Sequence, residues 1–178
     1  MKRERNSKVR PPLDEAALEQ AALRYAGRYA TSKAKLRAYL ARKLRERGWA
    51  GAGDPPLDAL VGRMAARGYV DDRAFAAARA GGLSRRGYGA GRLDAALRAA
   101  GIGADDAAEA REIAADGAWE AALRFAERRR IGPFAAGETD RPAREKAFAA
   151  MLRAGHPPHL ARRIVVARPG EVPQADGC

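Results

Sequence analysis

The chain has 178 residues and a formal charge of +12; 47% of its residues are hydrophobic and only 6% aromatic. That length allows one ordinary domain or several small modules, and an apolar fraction dominated by alanine leaves each helix a thin stripe to bury, which favours short helices stacked in series. No run approaches the ~20 apolar residues of a membrane span, no apolar run follows the charges of MKRERNSKVRPP as in a signal peptide, and the lone Cys178 rules out an intramolecular disulfide framework, so a cytoplasmic protein without membrane attachment is expected.

The charge is unevenly placed. Lysine plus arginine against aspartate plus glutamate is 14 to 5 over residues 1–50, 8 to 5 over 51–103 and 12 to 12 over 104–178. The positive field lies in the first half, where DNA or another acidic partner would be drawn first. Arginine greatly outnumbers lysine, which suits bidentate contacts to phosphate or carboxylate. A coding bias toward alanine and arginine explains the same excess.

In chain order, residues 1–12 read as a disordered basic arm that ends at Pro11 and Pro12. Asp14 can cap a first helix whose Ala17, Leu18, Ala21, Ala22 and Tyr25 share one face. Thr31 and Ser32 start a second, with Leu36, Tyr39, Leu40 and Leu44 as its stripe. Lys33, Lys35, Arg37, Arg42, Lys43, Arg45 and Arg47 fill its other faces, and Gly48 and Trp49 close it. Residues 50–56 form a turn-rich linker. A third helix runs from about Leu57 to Gly68 through Leu60, Val61 and Met64. Asp71 or Asp72 caps the fourth, which carries Phe75 inward. A basic glycine loop from Ser84 to Gly91 precedes the fifth, Arg92 to Ala100, with Leu93 and Leu97 inside and Gly101 as its stop.

Asp105 or Asp106 starts an acidic sixth helix, and the seventh runs from about Trp119 through Leu123 and Phe125 to Arg128, Arg129 and Arg130. After a loop from Ile131 to Thr139, Asp140 caps the eighth, with Pro142 in its first turn and Phe148, Met151 and Leu152 inward. Gly155 ends it. Pro157 and Pro158 admit a short ninth helix through Leu160, Ile164 and Val165, and the tail from Arg168 is expected to fray. Alternation of apolar and polar residues is nowhere sustained, so no strand is expected.

Self-similarity turns this order into an architecture. Ala22-Leu23-Arg24-Tyr25-Ala26 and Ala122-Leu123-Arg124-Phe125-Ala126 nearly match, with Arg73-Ala74-Phe75-Ala76 midway, so an aromatic recurs at 25, 75 and 125. A helix-ending glycine recurs at 48, 101 and 155, each followed by a larger residue, and Leu44-Arg45, Leu97-Arg98 and Leu152-Arg153 stand before them. The expected fold is all-α: a tandem array of three three-helix repeats, about nine short helices, elongated and curved. The boundaries are an arm at 1–12, repeat 1 with its linker at 13–56, repeat 2 at 57–103, repeat 3 at 104–167 and a tail at 168–178.

Catalytic patterns are weak. Tyr69-Val70-Asp71-Asp72 has the letters of a reverse-transcriptase metal site, but its flanks are helical and capping explains the acids. His156 and His159 have no cysteine or acid cluster beside them, Cys178 has no histidine placed by a motif, and Gly87-Tyr88-Gly89-Ala90-Gly91 lacks the strand and lysine of a phosphate loop. A binding protein that is not an enzyme, with no cofactor and no metal, is expected. Ser84, Arg85, Arg86 and Tyr88 can engage phosphates by charge, backbone N–H groups and a stacking ring. Equally, Arg85 and Arg86 can cap carbonyls at the end of the fourth helix while Tyr88 packs between repeats.

The Leu-Arg-Tyr helix, the Thr/Ser-led basic helix ending in Arg-Gly-Trp, Gly-Tyr-Val-Asp-Asp-x-x-Phe-Ala, Ser-Arg-Arg-Gly-Tyr-Gly and Arg-Leu-x-x-x-Leu-Arg-x-x-Gly-Ile together resemble the bacterial recombination regulator family RecX. The likeness covers roughly Ala16 to Val165 and is most specific from Gly68 to Ile102. It implies a cytoplasmic monomer that binds the RecA recombinase along the groove of its DNA filament and dampens filament growth, ATP hydrolysis, strand exchange and the SOS co-protease role. Lys33-Ala34-Lys35 departs from the family, which often has an acidic residue after that Ser; the capping box is lost and the helix start is more cationic. Arg85, Arg86 and Tyr88 are the first candidates for RecA or DNA contact, with Arg42, Lys43, Arg45 and Arg92 second. Single- or double-stranded DNA is a further expected partner of the basic N-terminal half. The alternative is a helical protein that binds duplex DNA without RecA.

Overall fold

Residues 11–175 are described in the computed structural model, and they form nine α-helices, one 3-10 turn and no strand. The helices are α1 (Glu15–Arg28), α2 (Lys33–Arg47), α3 (Leu57–Ala66), α4 (Asp72–Arg85), α5 (Ala90–Ala99), α6 (Ala108–Asp116), α7 (Ala118–Arg129), α8 (Arg141–Arg153) and α9 (Pro158–Val166). Three of the expected caps form. The carboxylates of Asp14 and Asp140 accept from Ala17 N–H and Ala143 N–H, each at 2.8 Å, and Ser32 Oγ accepts from Lys35 N–H at 3.2 Å. Each satisfies a backbone donor that the first helical turn leaves without an intrahelical acceptor. Asp105 and Asp106 do not act this way: they lie in turns, and α6 starts from Ala107 without a side-chain cap.

The chain divides after Asp71 into two compact units. In the first, α1, α2 and α3 enclose one core built on Leu13, Leu18, Leu36, Leu40, Leu60 and Met64. Each of these leucines, fully withdrawn from water, contributes about 2 kcal/mol. Helix α3 therefore completes the first bundle, whereas the sequence grouping placed it at the head of repeat 2. The reason is in its stripe: Leu60, Val61 and Met64 face the leucines of α1 and α2. The exposed Arg37–Asp58 ion pair, 2.6 Å, joins α2 to α3 and holds the Asp58 carboxyl below the usual carboxylate range.

The expected arm meets this unit at its end. Residues 1–10 lie outside the described residues, but Pro11 is held: its carbonyl accepts two hydrogen bonds from the Arg47 guanidinium, at 2.9 and 2.6 Å. Leu13, 1% exposed, donates to Gly48 O at 3.0 Å and accepts from Ala50 N–H at 2.9 Å. Among the described residues this is an isolated parallel bridge with Trp49, not a strand.

The second unit holds two bundles. Helices α4, α5 and α6 surround Ala76, Ala80, Leu83, Leu93, Leu97 and Ala107. Helices α7, α8 and α9 surround Ala122, Phe125, Met151, Ala161 and Ile164. Small residues on α4 let α6 come close, which is how so alanine-rich a sequence still fills a core. The three-helix repeat is thus realised as 13–70, 72–116 and 118–166.

The glycine register has a definite geometry. Gly101 (φ 68°) and Gly155 (φ 90°) both turn the chain left-handed after a helix, and the next residues, Ile102 and His156, reach back to Leu97 O and Met151 O at 3.1 Å. A β-carbon would disfavour that conformation, so glycine recurs there. The same register corrects the eighth helix: Met151, four before Gly155, is buried, and Leu152 is 38% exposed. The aromatic register is uneven in burial: Phe75, in the first turn of α4, and Tyr25, against the first core, are half-buried, while Phe125 is buried in α7. The loop at 131–139 is partly internal: Gly132 and Pro133 are buried in a 3-10 turn. The tail does not fray from Arg168, since Gly170 N–H donates to Pro133 O at 2.8 Å and the Arg163 guanidinium to Gln174 O. Residues 176–178, Cys178 among them, lie outside the described residues.

Candidate functional site

Helix α4 runs through Ser84 and Arg85, so the loop that the sequence marks from Ser84 to Gly91 shrinks to residues 86–89 before α5. Two of its glycines are buried against the third bundle. Gly89 N–H donates to Ala154 O and Gly91 N–H to Gly155 O, both at 3.0 Å. A β-carbon on Gly87 would lie 2.8 Å from the Phe125 nitrogen, and one on Gly89 would overlap the Gly155 carbonyl. The glycines thus serve close backbone approach between two bundles. Arg124 adds to the seam by donating to Ser84 O at 3.2 Å and Ser84 Oγ at 3.3 Å. Packing uses this loop, in line with the second of the two readings that the sequence offers for it.

His156 is the polar centre of the seam. Its ring is 3% exposed, lies 5.4 Å from the Phe125 ring, and places Nε2 3.2 Å from Gly87 O. A carbonyl can only accept, so Nε2 carries the proton and donates, and Nδ1 is the bare nitrogen. Among the described residues Nδ1 is buried without a hydrogen-bond partner. Burial pushes the imidazole below the 6.5 ordinary for histidine, and the hydrogen bond to Gly87 opposes this more weakly.

Three of the candidates in this unit come together. Arg86 and Arg92 stand over the Tyr88 ring at 5.9 and 5.8 Å, and with Arg79 and Leu83 they line a hollow between α4 and α5. Tyr88 is itself half-buried and touches the cores of both bundles. Arg86 Nε donates to Gly82 O at 3.0 Å, capping the end of α4. Arg85, the last residue of α4, is exposed and does not line the hollow.

The first unit holds the other constellation. Tyr25 and Tyr39 stack with 4.1 Å between centroids and 13° between planes, and Tyr29 tilts against Tyr25 at 5.4 Å. Arg42 and Lys43 lie over the Tyr39 ring at 5.6 and 5.9 Å, and Arg28 over Tyr29 at 5.5 Å. With Arg24 these residues line a hollow between α1 and α2. Glu46 restrains its outer side: Lys43 lies 2.6 Å from Glu46 and Arg42 3.7 Å, and the Lys43 hydrogen bond holds that carboxyl low. Arg45 is exposed outside the hollow. Sequence reasoning found Arg42 and Lys43 but spent Tyr25 and Tyr39 on helix stripes and passed over Arg24, Arg28 and Tyr29. The signal was there: Arg24 and Arg28, like Tyr25 and Tyr29, are four residues apart and share a face.

Among the described residues no helix is long and apolar enough to cross a membrane. A family model described as the second three-helix domain of RecX matches residues 71–110, which span α4, α5 and the start of α6. A crystal structure titled regulatory protein RecX is similar in fold, with a TM-score of 0.57 and 20% identity over 84% of this chain and 72% of that one. In sequence the chain is 31% identical, over 182 residues and 94% of each chain, to the regulatory protein RecX of Myxococcus xanthus (strain DK1622). With its three-helix bundles and a match along nearly its whole length, the chain belongs to the RecX family of regulatory proteins.

Proposed function

We propose that this protein binds the RecA recombinase on its DNA filament and lowers filament growth, ATP hydrolysis, strand exchange and the SOS co-protease role. The observation that carries the reading is the 31% identity to a regulatory protein RecX over 94% of both chains. The surface supports it by offering cations rather than catalytic side chains: Arg86 and Arg92 around Tyr88 in one unit, Arg42 and Lys43 around Tyr39 in the other. The mechanism is occupancy. Several modest patches on one chain engage neighbouring sites of a polymer, and each contact raises the effective concentration of the next. The protein acts as a monomer in the cytoplasm, and Arg85, exposed at the end of α4, is the first candidate to touch RecA.

RecA ATPase on single-stranded DNA, measured with substoichiometric protein, tests the reading. Inhibition that weakens several-fold with Arg85→Ala and Arg86→Ala supports it. Unchanged ATPase with no binding to filaments would sink it, and tight sequence-specific binding to duplex DNA in the absence of RecA would favour a protein that works on DNA alone.

A further inference from the structure

Each three-helix bundle carries a hollow between its first and second helices, and every charged residue lining the three is a cation. In the first bundle the cations are Arg24, Arg28, Arg42 and Lys43, the last two paired from outside the hollow with Glu46, which leaves Arg24 and Arg28 as the leading pair. In the second they are Arg79, Arg86 and Arg92. In the third they are Arg129, Arg130, Arg144 and Lys146, between the end of α7 and α8. The third case is the telling one, because residues 104–178 are charge-balanced, 12 to 12, and yet the charged residues among that hollow's lining are all cations. Helix packing needs no such sorting. Like charges gathered in a hollow repel one another, and a bound anion relieves that repulsion.

We propose that these hollows are subsites for the phosphate backbone of single-stranded nucleic acid, with the hollow of the first bundle leading. The choice of ligand rests on the rings there. Tyr29 is 50% exposed, with Tyr25 tilted against it at 52° and the exposed Arg28 over its ring, so a face opens to a base when Arg28 swings aside to meet a phosphate. An unpaired base can stack on such a face while its phosphates meet the cations, a combination sequence-tolerant single-strand sites use. An acidic peptide would take the charges and gain nothing from the ring. Duplex bases, already stacked on one another, cannot reach it. The second hollow offers a weaker version, since Tyr88 is occupied by packing between bundles, and the third adds charge alone.

The test uses the full chain without RecA, so its outcome is separate from that of the filament reading. Fluorescence anisotropy of a labelled oligothymidylate would be followed at several salt concentrations, beside a labelled duplex and labelled polyglutamate. The single strand is expected to bind most tightly, and Tyr29→Ala to weaken it on the order of tenfold while Tyr29→Phe preserves it. Arg24→Gln with Arg28→Gln reports on the same hollow without touching a ring and is expected to flatten the salt dependence by about 0.7 in slope for each phosphate no longer neutralised. Circular dichroism melts confirm that each variant folds. Equal or tighter binding of the duplex or of polyglutamate would overturn the proposal. So would undiminished binding by a folded Tyr29→Ala together with an unchanged salt slope in the arginine variant.

Discussion

The two tyrosine–arginine clusters look alike on paper and do different work. Around Tyr88 the ring is half-buried between two cores, the flanking glycines are pressed against backbone, and Arg86 is partly used to cap α4. Around Tyr25, Tyr29 and Tyr39 the rings lean on one another at the surface of a single bundle, and the outermost is half in water. The more motif-like stretch is therefore the more structural one, and the inconspicuous end of α1 has side chains to spare.

The sharpest way to break this contrast is Gly89→Ala. Its β-carbon has no room against the Gly155 carbonyl, so the seam must open, and a loss of about 3 kcal/mol is expected in denaturant melts of the intact chain. Replacing the rings comes next. Tyr88→Ala removes a side chain shared by two cores and is expected to cost about 2 kcal/mol, whereas Tyr29→Ala should change stability by less than about 0.5 kcal/mol. Equal costs would erase the distinction between a tyrosine packed between cores and one at the surface.

The gentlest probe is the proton on His156. The folded state holds this imidazole neutral and below 6.5, while the unfolded chain titrates near 6.5, so below that pH the unfolded state binds more protons. Stability of the second unit is therefore present above about pH 6.5 and falls as the pH drops toward the folded value. His156→Gln, which keeps a donor for Gly87 O, should flatten that part of the profile. A profile as steep as the parent's would remove His156 as its source.

Much of this fold is legible in the order of residues, because caps, stripes and stops act over one or two turns of chain. Asp14, Ser32 and Asp140 cap the helices they were expected to cap, and Gly101 and Gly155 end theirs. The presence of the helices and the family itself follow from such short-range signals, although the end of α4 and the starts of α5 and α6 do not. Which helix joins which bundle does not. Helix α3 follows a turn-rich linker and reads as a beginning, yet it closes the first bundle because its apolar face fits the leucines of α1 and α2. The glycine loop shows the same limit. Its glycines announce a tight turn, but only the backbone of residues 154–156, far along the chain, shows what they are tight against. Local hydrogen bonds and apolar period determined the helices. Tertiary packing decided which glycines, rings and cations were consumed inside the protein and which remained for a partner, because burial is settled by neighbours that lie far away in the chain.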